Sequence, residues 1–83
     1  MVGKVKVLYF AQARDLAGRT AEYVALEDGT TARAFLSSIS KSHKGLAAIA
    51  ESLRLAVNEE IVPSDSPLRD GDVVAVLPPV AGG

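Results

Sequence analysis

Alternating apolar and polar side chains predict β-strands near both ends of the chain. Residues 5–11 are rich in β-branched and aromatic side chains and indicate a first strand, and residues 20–27 alternate as a second one. Residues 73–77 form the most apolar segment and predict a last strand, which Pro78 and Pro79 end because proline cannot donate to a ladder. Alternation divides the side chains of the first strand between its two faces. Val5, Val7 and Tyr9 lie on one face, and Lys4, Lys6, Leu8 and Phe10 lie on the other.

The middle of the chain has the spacing of helices. Residues 12–18 allow one or two helical turns that end at a glycine. Thr30 or Thr31 is a suitable N-cap for an amphipathic helix of about three to four turns, which we expect Gly45 to end at its C′ position. Residues 46–54 predict a short second helix. The apolar positions of the main helix are Phe35, Leu36 and Ile39, and its outward positions are Ser37, Ser38, Ser40 and Lys41.

Two further short strands are predicted at residues 55–58 and 61–62, around a turn at residues 58–60. This order favours an α+β fold, a mixed sheet of about five short strands packed on one main helix plus a short second helix. We expect the domain to span residues 1–79, with residues 80–83 as a flexible tail. One long helix covers only one face of such a sheet, so the apolar side chains on the other face predict a partner surface.

Composition limits the possible functions. The chain has 83 residues, 48% of them hydrophobic and 23% charged, with a net charge of −1. These values predict one globular domain, and the scattered Lys and Arg provide no basic stripe for a nucleic acid. The absence of Cys excludes a disulfide, a thiolate metal site and a cysteine nucleophile. No apolar run approaches the ~20 residues of a membrane-spanning helix and the start is no signal peptide, so we expect a cytoplasmic protein without a membrane partner.

The side chains of a self-sufficient catalytic centre are missing. His43 is the only histidine and stands where a helix end favours a cation, so a two-histidine metal site is excluded. Asp65, Asp70 and Asp72 lack the calcium-loop pattern and fit turns, and Glu59–Glu60 fits a solvated turn. No glycine-rich phosphate loop is present. We therefore predict no metal site and no permanently bound cofactor.

The end of the chain offers a different chemistry. Gly82 and Gly83 follow a Pro-Pro pair, and because glycine lacks Cβ, an extended tail could enter a channel too narrow for other residues. The four residues after Pro79 reach about 13–14 Å at ~3.4 Å each. Such a tail could place the Gly83 carboxylate in another protein's active site. Attack on ATP would give an acyl adenylate that a sulfur or amine nucleophile displaces.

Several segments together resemble the family of small, sulfur carrier subunits of molybdopterin synthase. They are residues 7–18, 56–58, 67–75 and 77–83, so the resemblance spans essentially the whole chain. It implies a ubiquitin-like β-grasp fold. It further implies that a ubiquitin-activating-like adenylyltransferase uses ATP to adenylate Gly83, which becomes a thiocarboxylate. The carrier then docks on the large catalytic subunit, in a heterotetramer, and gives sulfur to cyclic pyranopterin monophosphate to form the molybdopterin dithiolene.

The resemblance also implies roles for single positions. Phe10, Ile61 and Leu77 match the family's hydrophobic docking surface, and Arg14 matches a position that contacts the activating enzyme. The family's catalytic lysines belong to the large subunit, so the resemblance implies a non-catalytic carrier with Gly83 as its functional terminus. The tail that threads into the large subunit consists of Pro79, Val80, Ala81 and Gly82.

Three alternatives remain open from the sequence. A sulfur carrier of the same fold could serve thiamine synthesis or tRNA thiolation. Gly83 could instead form isopeptide bonds with lysines, as in a ubiquitin-like protein modifier. In a pure interaction module the tail would be inert, and deletion of Gly82 and Gly83 would leave its function unchanged.

Overall fold

A computed structural model describes residues 3–78 as a five-stranded sheet in the order β2-β1-β5-β3-β4. Strands β1 and β5 are parallel, and the other neighbouring pairs are antiparallel. The sheet is therefore mixed and has five strands, as predicted, and the first and last strands of the chain are neighbours in it. The strands are β1 Gly3–Tyr9, β2 Ala21–Leu26, β3 Arg54–Val57, β4 Glu60–Ile61 and β5 Val73–Leu77.

The helices lie on one face of this sheet. They are α1 Ala11–Ala17, α2 Ala32–Ser42 and α3 Lys44–Ala47, followed by a 3₁₀ turn at Ala50–Ser52. Thr31 begins α2, where its Oγ1 accepts a hydrogen bond from Ala34 N at 3.2 Å and satisfies a helix N–H that lacks a partner within the helix. Between residues 3 and 78, no helix has the length and hydrophobicity that a bilayer crossing requires.

The core lies between the helices and the face of the sheet that they cover. The largest fully buried side chains on this face are Val5, Val7, Tyr9, Val74 and Val76. The helices add Ala13, Phe35, Ile39 and Leu46 to the same hydrophobic cluster. Alternation in β1 and β5 thus buries the set of side chains that the sequence predicts, and it leaves the opposite set on the face without helices.

The main helix differs from prediction in two details. It ends at Ser42 with His43 as its cap, so the predicted C′ role of Gly45 is wrong. Gly45 instead lies inside α3, where an added Cβ would come within 2.6 Å of the Leu16 carbonyl oxygen. Ser40 does not face outward but is only 6% exposed, because it lies on the flank of α2 that turns toward β3.

Three boundaries also differ. β1 ends at Tyr9 because α1 begins at Ala11, and the second helix is divided into α3 and the 3₁₀ turn. The turn between β3 and β4 consists of Asn58 and Glu59, both with positive φ (50° and 73°). Such a two-residue turn matches the twist of a hairpin, so Glu60 belongs to β4 and not to the turn.

Candidate functional site

The sheet face opposite the helices is apolar and open. Within residues 3–78, the exposed large hydrophobic side chains are Phe10, Tyr23, Ile61 and Val73, with 47%, 66%, 68% and 37% of their surface exposed. Strand alternation and register place all four on this side of the sheet. We call this surface the open face and define it by Leu8, Phe10, Tyr23, Ile61, Val73 and Leu77.

The strand register explains why these side chains are contiguous. Leu8 in β1 is opposite Ala75 in β5. Ala56 in β3 is opposite both Ala75 and Ile61. The four residues form one row across four strands. Neighbouring strands are ~4.8 Å apart, so the three spacings make the row about 14 Å wide. A surface of this size without a helix over it is a candidate contact for another protein.

One end of the open face is basic. Lys6 lies opposite both Tyr23 and Val73 in the register. The Nζ atom of Lys4 is 5.2 Å from the centre of the Tyr23 ring, within the range of a cation–π contact. The open face therefore combines an apolar centre with positive charge, and a partner with an apolar patch and acidic neighbours complements it.

β5 is the central strand, and its last residue, Leu77, lies at the other end of this face. Leu77 is opposite Arg54, and Val76 is opposite Tyr9, the last residue of β1. Phe10 follows Tyr9 directly and is the N-cap of α1. Pro78 is the last described residue. The predicted tail residues Pro79, Val80, Ala81, Gly82 and Gly83 lie outside the described residues.

The structure brings together three of the four predicted partner-binding residues. Phe10 and Ile61 are exposed on the open face and Leu77 is half-buried there. Arg14 is exposed on α1, one turn after Phe10, and its Nε is 3.7 Å from Asp15 Oδ1 in an ion pair that contributes little to stability at the surface. These positions are accessible to a partner, and their roles in binding stay predictions.

Three residues of the open face, Leu8, Tyr23 and Val73, are not among the partner-binding residues predicted from the sequence. Tyr23 is the most exposed aromatic side chain among the described residues, and Val73 is its neighbour across Lys6. The signal was present in the alternation of β2, where Tyr23 lies opposite the inward Val24 and Leu26. A Tyr on the outer side of a strand is common, however, and only the sheet order shows that it joins an apolar surface.

Side-chain hydrogen bonds fix the start of β5. Asn58 Nδ2 donates to Asp72 Oδ1 at 3.1 Å, and Val73 N donates to Asn58 Oδ1 at 3.0 Å. Asp70 Oδ1 accepts from Lys4 N at 2.9 Å. Asp70 and Asp72 are thus turn residues, as predicted. The described residues contain no group of three or more His, Cys, Asp or Glu side chains that could hold a metal ion.

His43 belongs to a polar cluster on the helix side. Its Nε2 is 2.7 Å from Glu22 Oε2, to which Tyr9 Oη also donates at 2.5 Å, and an Arg19 nitrogen donates to Glu22 Oε1 at 3.1 Å. Burial opposes ionisation of Glu22, but the hydrogen bonds from Tyr9 and His43 and the charge interactions with His43 and Arg19 outweigh it, so the pKa of Glu22 lies below its usual value. Burial and the Glu22 carboxylate raise the pKa of Tyr9.

Comparison with known proteins assigns this chain to a family. The ThiS family matches residues 7–83. The chain belongs to the ThiS family. It is 41% identical over 80 residues to the molybdopterin synthase sulfur carrier subunit of Escherichia coli, with 95% of this chain and 99% of that protein covered. The resemblance to the sulfur carrier subunits is therefore confirmed for this ThiS chain.

Solved structures agree with the ThiS assignment. A Pyrococcus furiosus protein assigned to subunit 1 of a molybdopterin converting factor has a TM-score of 0.83 and 40% identity, with 94% of this chain and 99% of that chain covered. The complex of subunits 1 and 2 of the Helicobacter pylori molybdopterin-converting factor contains a chain with a TM-score of 0.68 and 27% identity, covering 96% of this chain and 99% of that chain. The predicted ubiquitin-like β-grasp fold is confirmed.

Proposed function

We propose that this ThiS chain is the sulfur carrier subunit of a molybdopterin synthase. The observation that carries the proposal is the position of β5: it is the central strand, and it ends between Phe10 and Arg54 at the border of the open face. A partner bound to the open face would therefore lie next to Pro78, from which the rest of the chain continues. The names of the full-length relatives support the same function.

The carried group would be sulfur on the terminal carboxyl of Gly83. On an adenylyltransferase, the Gly83 carboxylate attacks the α-phosphorus of ATP and releases pyrophosphate. A sulfide-level sulfur nucleophile then attacks the acyl carbon, AMP leaves, and the product is a thiocarboxylate. This chemistry needs no Cys on the carrier, and the chain has none. ATP is consumed on the partner, and the carrier holds no permanent cofactor of its own.

The second partner would be the large catalytic subunit. The open face docks on it, and residues 79–82 thread the thiocarboxylate into its active site. Each carrier gives one sulfur to cyclic pyranopterin monophosphate, water restores the carboxylate, and two transfers build the dithiolene. We further propose a heterotetramer in the cytoplasm. The Helicobacter pylori complex supports the large subunit as a partner, because there subunits 1 and 2 of the converting factor are bound to each other.

A single-turnover transfer experiment tests this function. Thiocarboxylated carrier is mixed with the cognate large subunit and cyclic pyranopterin monophosphate, and product and carrier are followed by mass spectrometry. We expect two carriers to return to the carboxylate form for each dithiolene formed. A carrier that keeps its sulfur here but delivers it to a thiamine or tRNA thiolation enzyme would contradict the proposal. Isopeptide conjugates to lysines, without sulfur transfer, would favour the protein modifier.

A further inference from the structure

A second surface lies on the helix side of the molecule, between α2 and β3. It is a groove of about 460 Å³, within the range of sites that bind ligands or inserted side chains. We call it the helix-side groove. It is defined by Arg33, Leu36, Ser40, Lys41, Leu53 and Arg54. Most of its lining belongs to the helix side, and Arg54, which is opposite Leu77 in the register, borders both the groove and the open face.

The groove has a buried polar atom without a partner. Ser40 is 6% exposed, and its Oγ forms no hydrogen bond within residues 3–78. A buried hydroxyl is nearly always paired, because an unpaired one loses its hydrogen bonds to water and gains none in return. In an α-helix it can donate to the carbonyl four residues earlier, but Ser40 forms no such bond. Ser40 therefore offers an unused donor and acceptor in the groove wall.

The charges of the groove favour an anionic ligand. Three of the nine Lys and Arg residues line it, but only one of the ten Asp and Glu residues does, in a chain whose net charge is −1. The cations are Arg33, Lys41 and Arg54, and the single carboxylate is Glu51. Within residues 3–78, none of the three cations forms an ion pair. Carboxylates of a bound ligand would supply the missing counter-charge.

The shape of the groove favours an extended protein segment. Arg33 and Lys41 are eight residues apart on α2, which is about 12 Å at ~1.5 Å per residue. The half-buried Leu36 and the buried Leu53 lie among the lining residues and supply apolar contact area. About four extended residues cover such a distance. An acidic side chain at each end with apolar side chains between them would match this arrangement.

From this arrangement we propose that the helix-side groove binds an acidic, apolar segment of a partner protein. The carboxylates of the segment pair with Arg33 and Lys41, its apolar side chains contact Leu36 and Leu53, and a polar group of its backbone bonds to Ser40 Oγ. The proposal is independent of the carrier function. It predicts a second partner besides the one that binds the open face.

A titration of the full chain tests the proposal by NMR. The probes are two pools of acetylated, amidated hexapeptides with apolar residues at three positions; one pool has Asp or Glu at the other three, and the matched pool has Lys or Arg. We expect the acidic pool to shift the amide signals of the groove residues and the basic pool to leave them unchanged. The R33E/K41E variant should bind the acidic pool at least tenfold more weakly. The K44E/R69E variant makes the same charge change outside the groove and should bind within twofold of wild type.

Replacement of Ser40 separates a binding role from a structural one. The S40A variant should weaken binding about threefold or more while its melting temperature stays equal or rises, because no internal hydrogen bond is lost. A lower melting temperature with unchanged binding would overturn the role of Ser40.

Equal shifts with both pools, shifts confined to the open face, or no shifts would overturn the proposal. So would groove shifts caused by deletion of residues 80–83 or by a higher protein concentration, which would identify the chain's own end or a second copy as the occupant.

Discussion

At the scale of single residues, Glu22 is the best-connected polar side chain on the helix side. It lies on the inward side of the edge strand β2, where a lone carboxylate would be unfavourable. Tyr9, His43 and Arg19 all reach its two oxygens, and they hold the pKa of Glu22 below its usual value despite burial. These contacts join β1, β2 and the end of α2, so we interpret the cluster as a clamp between strands and helix.

Replacing Glu22 tests this clamp. A group whose pKa is lower in the folded state stabilises the fold above its unfolded pKa, and that contribution is lost as the pH falls through the folded value. We expect Glu22→Gln to lower the free energy of unfolding by about 1–2 kcal/mol at pH 7. The difference from wild type should be smaller at about pH 3 than at pH 7, because the charge of Glu22 is progressively lost as the pH falls toward its lowered pKa.

Urea unfolding at both pH values measures this effect. Glu27→Gln is the matched control, because Glu27 is an exposed carboxylate just beyond the end of the same strand. It should change stability by less than about 0.5 kcal/mol. An equal loss for Glu22→Gln at both pH values would show that shape, and not ionisation, explains the role of Glu22.

Glu22 and Ser40 also show where single-residue inference from the sequence ends. Alternation places Glu22 inward, but its partner His43 is 21 residues away. Their contact depends on how the end of α2 crosses β2, which no local pattern encodes. Ser40 was assigned to the outside because serine is usually exposed. Its burial follows from the proximity of α2 to β3, which is a property of the assembled fold.

At the scale of elements, Gly45 sets how closely α3 approaches α1. In an ordinary helix, Gly→Ala raises stability by about 0.5–1 kcal/mol because alanine favours the helix. Here the added Cβ would meet backbone at 2.6 Å, and a helix must shift. We therefore expect Gly45→Ala to lower the free energy of unfolding by about 1–3 kcal/mol, measured by thermal or urea unfolding.

The control for this substitution lies in the same helix. Ala47→Gly reports helix propensity alone, since Ala47 is exposed, and should cost about 0.5–1 kcal/mol. If Gly45→Ala were stabilising, the contact between α1 and α3 would be looser than the structure indicates. The sequence suggested a helix end at Gly45 because glycine commonly follows one. A close contact between helices is an equally common reason for glycine, and spacing alone does not separate the two.

The open face allows a test of docking by one substitution. Ile61 is the most exposed large hydrophobic residue described, so Ile61→Asp should leave the fold almost unchanged. We expect it to weaken binding to the cognate large subunit at least tenfold, about 1.4 kcal/mol, because a carboxylate would be desolvated in an apolar contact. Isothermal titration calorimetry measures the Kd. The control is Ser38→Asp, at an exposed position on α2, and this variant should bind like wild type. If Ile61→Asp bound with unchanged affinity, the large subunit would contact another part of the carrier.

At the scale of the whole molecule, the order of the strands in the sheet determines which side chains lie together on the open face. The alternation in β1 and β5 could be predicted from the sequence, and so could Phe10 and Leu77 on the face without helices. The parallel pairing of β1 with β5 is a contact between the two ends of the chain, and periodicity does not reveal it. The resemblance implied the β-grasp fold, which the solved structures confirm, and the pairing itself is seen only in the structure. The helix-side groove was not predicted, because residues from four separate segments line it.

The most direct test of the central claim is mass spectrometry of the C-terminal peptide after incubation with the cognate activating enzyme, ATP and a sulfur source. A thiol-directed alkylation step is included because the mass of the intact chain alone is ambiguous: exchange of oxygen for sulfur gives the same nominal mass change as oxidation of Met1. We predict an alkyl adduct on Gly83, which in a chain without Cys can come only from a thiocarboxylate. The chain lacking Gly82 and Gly83 is the control and should give none. An adenylate without sulfur, or no modification by an enzyme that is active on another carrier, would contradict the carrier function.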